Sequence, residues 1–152
     1  MAQGGEKEGG QEALEALLAS REAFITYVPL RGEVPFLDYC ALPENAVVHE
    51  IAPRASLSPA AEAAKAVAAA EGRETAVLIP GRAFDASGTR HGQGGGWYDR
   101  FLAAAPREWL RVGFCFERQF STTPLRREAW DEEMDAVVVV DESGMRLYGP
   151  GL

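Results

Sequence analysis

The chain has 152 residues, 47% of them hydrophobic, and a formal net charge of −8 from 15 basic and 23 acidic side chains. That size suits one domain with a core of its own, and the acidic balance argues against nucleic acid, whose phosphates demand a basic face. No apolar run is long enough to span a bilayer and no signal-peptide pattern opens the chain, so a soluble cytoplasmic protein with no membrane partner is expected.

Residues Met1 to Gly10 are polar and glycine-rich and read as a disordered tail; residues 11–152 read as a single α/β domain. From Gln11 to Ala19, Leu14, Leu17 and Leu18 recur at helical spacing. Phe24 to Val28 reads as a strand stopped by Pro29, Val34 to Leu42 as a short helix beginning at Pro35, and Ala46 to Ile51 as a second strand. The best-marked helix has Ser58 as N-cap, Pro59 at its first position and Gly72 closing its end, around an alanine-rich body. Ala76 to Ile79 is a short apolar strand ending at Pro80-Gly81, Trp97 to Ala105 a helix stopped by Pro106, and Leu110 to Phe116 and Ala136 to Val140 further strands. Cys40 and Cys115 lie in apolar contexts without CxxC spacing, as buried reduced thiols do. The unbroken run Val137 to Val140 predicts a strand covered on both faces, and strands alternating with helices predict a three-layer, mostly parallel open sheet. Ligands of such sheets gather beyond the carboxyl ends of the strands, which draws attention to Pro29–Glu33 and to the loop that begins at Pro80.

That second loop leads into Arg90-His91-Gly92-Gln93-Gly94-Gly95-Gly96-Trp97-Tyr98-Asp99-Arg100. Four glycines in five positions expose backbone N–H groups beside a helix N-terminus, a cradle for phosphate oxygens, and the adjacent carboxylate suits a Mg²⁺ ion accompanying a nucleotide. A dinucleotide fingerprint fails at Trp97, and a P-loop fails for want of lysine. A glycine-rich surface turn without ligand remains the alternative.

Several stretches together resemble the 5-formyltetrahydrofolate cyclo-ligase family, also called 5,10-methenyltetrahydrofolate synthetases. They are Pro80 to Asp85, then Gly88, Arg90, Gly92 and Gly94 through Leu102, Gly113 to Phe116, Asp131 to Asp135 and Tyr27 to Val34. The resemblance implies an open α/β sheet shared with ribose-phosphate isomerase-like and CoA-transferase-like domains (the NagB-like type). It also implies an ATP- and Mg²⁺-dependent closure of 5-formyltetrahydrofolate to 5,10-methenyltetrahydrofolate, releasing ADP and phosphate and needing no protein nucleophile. Carried over by position, Arg90, His91, Gly92, Gln93, Gly94, Gly95, Gly96, Trp97 and Tyr98 would bind the nucleotide. Val28, Glu33, Gln93, Gly94, Gly95, Gly96 and Trp97 would bind the reduced folate, and Asp99 and Asp131 would hold the metal. The resemblance leaves oligomeric state open; a monomer is expected, with a dimer as the alternative.

Each assignment has a plainer counterpart. Asp99 suits a helix N-terminus, the run Asp131-Glu132-Glu133 suits a solvated face, and Glu33 suits a turn after Gly32. Of Trp97 and Tyr98, one is expected in the core and one on a ligand. His49, His91 and Arg54 read as ordinary strand or loop residues, and Arg82 and Arg100 as neighbours of phosphate. Family members usually open with a basic helix that reaches the ATP phosphates, and carry His where Trp130 stands. Here the only lysines are Lys7 and Lys65, and Arg21 does not reproduce the pattern. A missing charge-assisted contact costs about 2 kcal/mol, which implies weakened ATP binding. It keeps a second reading open, a non-catalytic folate- or nucleotide-binding relative.

Overall fold

The computed structural model describes residues 5–51, 53, 58–92 and 96–152. A seven-stranded sheet runs through the molecule. Its strands are β1 (Glu6–Lys7), β2 (Ala23–Tyr27), β3 (Val47–Ile51), β4 (Thr75–Pro80), β7 (Leu110–Phe116), β9 (Ala136–Asp141) and β10 (Gly144–Tyr148), ordered β1-β10-β9-β7-β4-β2-β3. The five strands from β9 to β3 are parallel, and β10 and β1 extend the sheet antiparallel. Helix α1 (Gly10–Ala19) covers one face, while α2 (Pro59–Ala70) and α3 (Trp97–Ala104) pack together on the other.

Burial on both faces explains the valine run. Val137 and Val139 point into the core beneath α2 and α3, with Val77, Ile79 and Phe101; Ala136, Val138 and Val140 point into the core beneath α1, with Leu14, Leu18 and Phe114. The two-residue period puts alternate side chains on opposite faces, so a strand covered twice must be apolar throughout. Helix α2 is closed as its caps predict. Ser58 Oγ accepts from the Ala61 N–H at 3.1 Å, and Glu71 and Gly72 take left-handed conformations beyond Ala70. Its Ala63, Ala66 and Ala70 let the helix lie close to the sheet. Both cysteines are free and buried, and desolvation pushes the Cys40 thiol up to about 11 and that of Cys115 to about 12. Among the described residues no helix is long and apolar enough to cross a membrane.

Two expectations need correction. The N-terminal tail is ordered further back than its composition suggests: Glu6 and Lys7 pair with Tyr148 and Leu147, because an edge strand needs only backbone partners and leaves both side chains in solvent. The helix expected over Val34 to Leu42 shrinks to one 3-10 turn at Phe36–Asp38. The apolar residues there do not form a helical stripe. Val34, Phe36 and Cys40 are the buried residues of this stretch, and Phe36 sits between Tyr27 and Phe114, at ring-centroid distances of 5.0 and 6.1 Å.

A second, small sheet sits at the carboxyl edge of the large one. Its β5 (Ala83–Asp85) pairs antiparallel with β6 (Arg90–His91) and parallel with β8 (Phe120–Ser121). Phe84 anchors it: the fully buried ring lies directly over Gly113 of β7, where a Cβ would come within 2.3 Å of a ring carbon. Gly113→Ala is therefore expected to destabilise the protein by about 1–3 kcal/mol through overpacking, lowering the urea midpoint at unchanged m-value. Gly5→Ala, with nothing within 4 Å of its Cβ, serves as the neutral reference. Equal midpoints for the two variants would show that Phe84 has room to move.

Candidate active site

The parallel sheet reverses its winding at β2, which has β3 on one side and β4 on the other. Chains leaving neighbouring strands in opposite directions part above the sheet and leave a crevice at the carboxyl ends. A cavity of about 770 Å³ occupies that place, bounded by Val28 beyond β2, Pro53 beyond β3 and Gly81 to Ala83 beyond β4. The first turn of α3 and the segment around Trp130 and Asp131 complete its walls. Its size is that of a small-molecule or nucleotide site.

At its floor lies Arg90, only 5% exposed. Its Nε donates to the Pro80 carbonyl at 2.7 Å, and its guanidinium sits 4.9 Å from the centroid of the Tyr98 ring. The terminal nitrogens lie under Gly92, where a Cβ would be 3.0 and 3.1 Å from them. Burial lowers the pKa of this guanidinium, while Asp99, Tyr98, Glu33 and Asp131 push it back up. A desolvated cation is thus held by fixed geometry, with its fork beneath a glycine.

Carboxylates line the walls. Glu33 Oε1 accepts from the Leu30 N–H at 2.9 Å, closing the turn around Gly32, while the side chain remains at the cavity. Asp99 Oδ1 accepts from the Glu132 N–H at 3.2 Å, and Asp131 Oδ2 from the Glu128 N–H at 2.8 Å. Burial raises the Asp99 pKa, and the negative charges of Asp131 and Glu132 add to that. The Glu132 N–H and the Arg90 cation oppose it without cancelling it. Two oxygen-donor carboxylates thus border one cavity.

Behind the wall, Asp85 ties the turn that precedes Arg90 to the segment that follows β8. Its Oδ1 accepts from the N–H groups of Ser87 and Thr89 and from Ser87 Oγ, and its Oδ2 accepts from the Leu125 N–H at 2.7 Å. Arg127 reinforces the link, donating to Thr89 Oγ1, the Ser87 carbonyl and Glu133. His91 Nε2 donates to the Arg126 carbonyl at 2.6 Å.

A model of the 5-formyltetrahydrofolate cyclo-ligase family matches residues 11–140. The chain belongs to this family. A curated 5-formyltetrahydrofolate cyclo-ligase from Mycoplasma genitalium is 30% identical over 61 residues, which is 40% of this chain; the match spans 36% of that relative's length. A solved structure characterised as a 5,10-methenyltetrahydrofolate synthetase from Mycoplasma pneumoniae superposes with a TM-score of 0.54. At 18% identity it covers 85% of this chain and 80% of that one, a likeness of fold.

Of the cyclo-ligase positions carried over from sequence, Val28, Glu33, Arg90, His91, Gly92, Gly96, Trp97, Tyr98, Asp99 and Asp131 all border this one cavity. Gln93, Gly94, Gly95 and Arg54 lie outside the described residues. Tyr98 is the buried member of the aromatic pair, and Trp97 is half-buried, stacked on Phe101 at 5.5 Å. Arg82 borders the cavity, whereas exposed Arg100 lies back along α3, its Nη1 3.2 Å from where a Gly96 Cβ would stand. His49 stays in β3 with a buried Nε2 that has no hydrogen-bond partner among the described residues. Leu30, within the Tyr27 to Val34 stretch, and Trp130, standing where the family usually has His, also border the cavity, as do Arg126 and Glu128, which carry no local motif that would single them out. Asp85 was visible only as the last residue of a family stretch.

Asp85 generates a pH-dependent expectation. Burial alone would raise its pKa from the usual 3.8, but the hydrogen bonds from Leu125, Ser87 and Thr89 outweigh burial and lower it. Its contribution to stability is therefore complete above about pH 3.8 and is lost as pH falls through the lower folded-state value. In paired denaturation series from pH 7 to pH 2, wild type should exceed Asp85→Asn at neutral pH and the gap should close below pH 3.8. A gap constant over that range would remove the carboxylate from this role.

Proposed function

We propose that this chain is an ATP- and Mg²⁺-dependent 5-formyltetrahydrofolate cyclo-ligase, forming 5,10-methenyltetrahydrofolate with release of ADP and phosphate. Family membership supports the reaction class. The observation that carries the assignment to this cavity is the meeting of a buried arginine fork, the α3 N-terminus and two carboxylates around one space. We propose in the same way that the sheet is of the NagB-like type shared with ribose-phosphate isomerase-like and CoA-transferase-like domains, in keeping with a cavity at the reversal of winding.

The reaction needs no protein nucleophile. The formyl oxygen attacks the γ-phosphorus of ATP and ADP leaves; N10 of the folate then attacks the activated carbon, loses its proton, and phosphate departs with the former formyl oxygen. The protein's share is alignment and charge stabilisation. Arg90 presents its terminal N–H groups beneath Gly92, where phosphate oxygens can approach a backbone without side chains. The first-turn N–H groups of α3 add a second anion contact. Val28, Leu30 and Trp130 give the mouth apolar surface for the planar folate, with Glu33 as a polar acceptor at the side.

Asp99 and Asp131 fit Mg²⁺ by the chemistry of the donor set. Both are hard oxygen donors bordering one cavity, and Mg²⁺ held by one or two carboxylates would complete its shell with waters and phosphates. When bound, the ion would neutralise charge on the transferring phosphoryl group.

The test is the rise of methenyltetrahydrofolate absorbance from 5-formyltetrahydrofolate, which should require both ATP and Mg²⁺. Asp99→Asn should lower kcat/KM by on the order of 100-fold, given that residues merely supporting a metal ligand are worth roughly 10- to 100-fold. Tight folate binding by wild type without turnover at saturating ATP would instead identify a binding protein.

A further inference from the structure

Arg111 is the second residue of β7 and is 2% exposed, the largest of the fully buried side chains. A buried cation on a strand is costly unless its donors are met. One terminal nitrogen donates to the Leu102 carbonyl of α3 at 3.1 Å, and the other pairs with Glu132 Oε1 at 2.8 Å. Glu132 lies in the middle of Asp131-Glu132-Glu133, a run whose mutual repulsion would ordinarily send all three side chains into solvent. Here the three are held separately. Asp131 takes the Glu128 N–H, Glu133 pairs with Arg127 at 2.6 Å, and Glu132 turns inward to Arg111. That inward turn brings the Glu132 N–H onto Asp99 Oδ1. The same strand residue also fixes the far end of the segment, its backbone exchanging hydrogen bonds with Asp135 at 2.9 Å in each direction.

We infer that the Arg111–Glu132 pair is a positioning device for the divalent-ion site, setting the acidic segment so that Asp131 and Asp99 face the same ion. This rests on the proposed reading of Asp99 and Asp131 as its ligands. Arg111 is hidden among the apolar residues of β7 and neither it nor Glu132 contributes an atom to the ion; both act through the backbone between Asp131 and Asp99. Breaking the pair lowers metal affinity more than its effect on folding accounts for.

The experiment measures Mn²⁺ binding by electron paramagnetic resonance in the presence of β,γ-methylene-ATP, with thermal melts of every variant. Wild type binds and Asp99→Asn loses binding if the ligand reading holds. Glu132→Ala should then weaken Mn²⁺ binding by about 10-fold, the scale of lost support behind a metal ligand. Glu132→Gln, which can still accept from Arg111, should remain within about 3-fold of wild type on the same scale. The double variant Arg111→Met/Glu132→Met leaves no unpaired buried charge, so it should fold yet bind as weakly as Glu132→Ala. Val138→Ala, a core truncation away from the site, reports the effect of destabilisation alone and should bind like wild type.

Wild-type affinity in the double variant, or an equal loss in Val138→Ala, overturns the positioning role while leaving the ligand reading intact. Failure of wild type to bind, or of Asp99→Asn to lose binding, overturns both.

Discussion

A guanidinium withdrawn from water needs a counter-field on every side, and Arg90 draws its own from distant parts of the chain. The Pro80 carbonyl comes from the end of β4, the Tyr98 ring and the Asp99 carboxylate from α3, Glu33 from the turn after β2, and Asp131 from the segment before β9. The sheet beneath brings these segments to one place. The cavity is accordingly built around a charge placed in the interior, and its acidic walls follow from the need to balance that charge.

The sheet makes this arrangement possible in two ways. Reversal of winding at β2 opens the crevice, and the close fit of Phe84 on Gly113 seats the small sheet that carries Arg90. In a chain of net charge −8 the overall field repels anions, so on the proposed reading it falls to a buried local cation to attract a phosphate. On the proposed reading the acidic segment has two tasks, countering Arg90 and offering oxygen ligands. Its three consecutive acids manage both because each is held by a different partner.

Much of the fold is legible in the sequence where one local signal decides the outcome. Ser58-Pro59 fixes the start of α2, Pro106 follows the end of α3, and the valines of β9 can only be a doubly covered strand. Elements set by long-range pairing are not legible in this way. Glu6–Lys7 becomes a strand only because β10 lies beside it, and the two-residue strands β6 and β8 exist only as partners of β5. The site divides along the same line. Glycines and aromatics from Gly92 to Tyr98 draw attention to the segment whose Gly92, Gly96, Trp97 and Tyr98 border the cavity, whereas Arg111 looks like one polar interruption in an apolar strand until Glu132, 21 residues later, is seen against it. A lone charge inside a buried strand, with an acidic run downstream, is the signal that points to such a pair.

The most direct measurement is calorimetric titration of MgATP into wild type and Arg90→Met, with melting curves to establish that both are folded. A buried fork that grips phosphate predicts binding by wild type and a loss of affinity of about 30-fold or more in the variant, the equivalent of about 2 kcal/mol for a charge-assisted contact. A folded Arg90→Met that binds MgATP as tightly as wild type would contradict it, leaving the arginine a structural cation beneath an otherwise unrelated cavity.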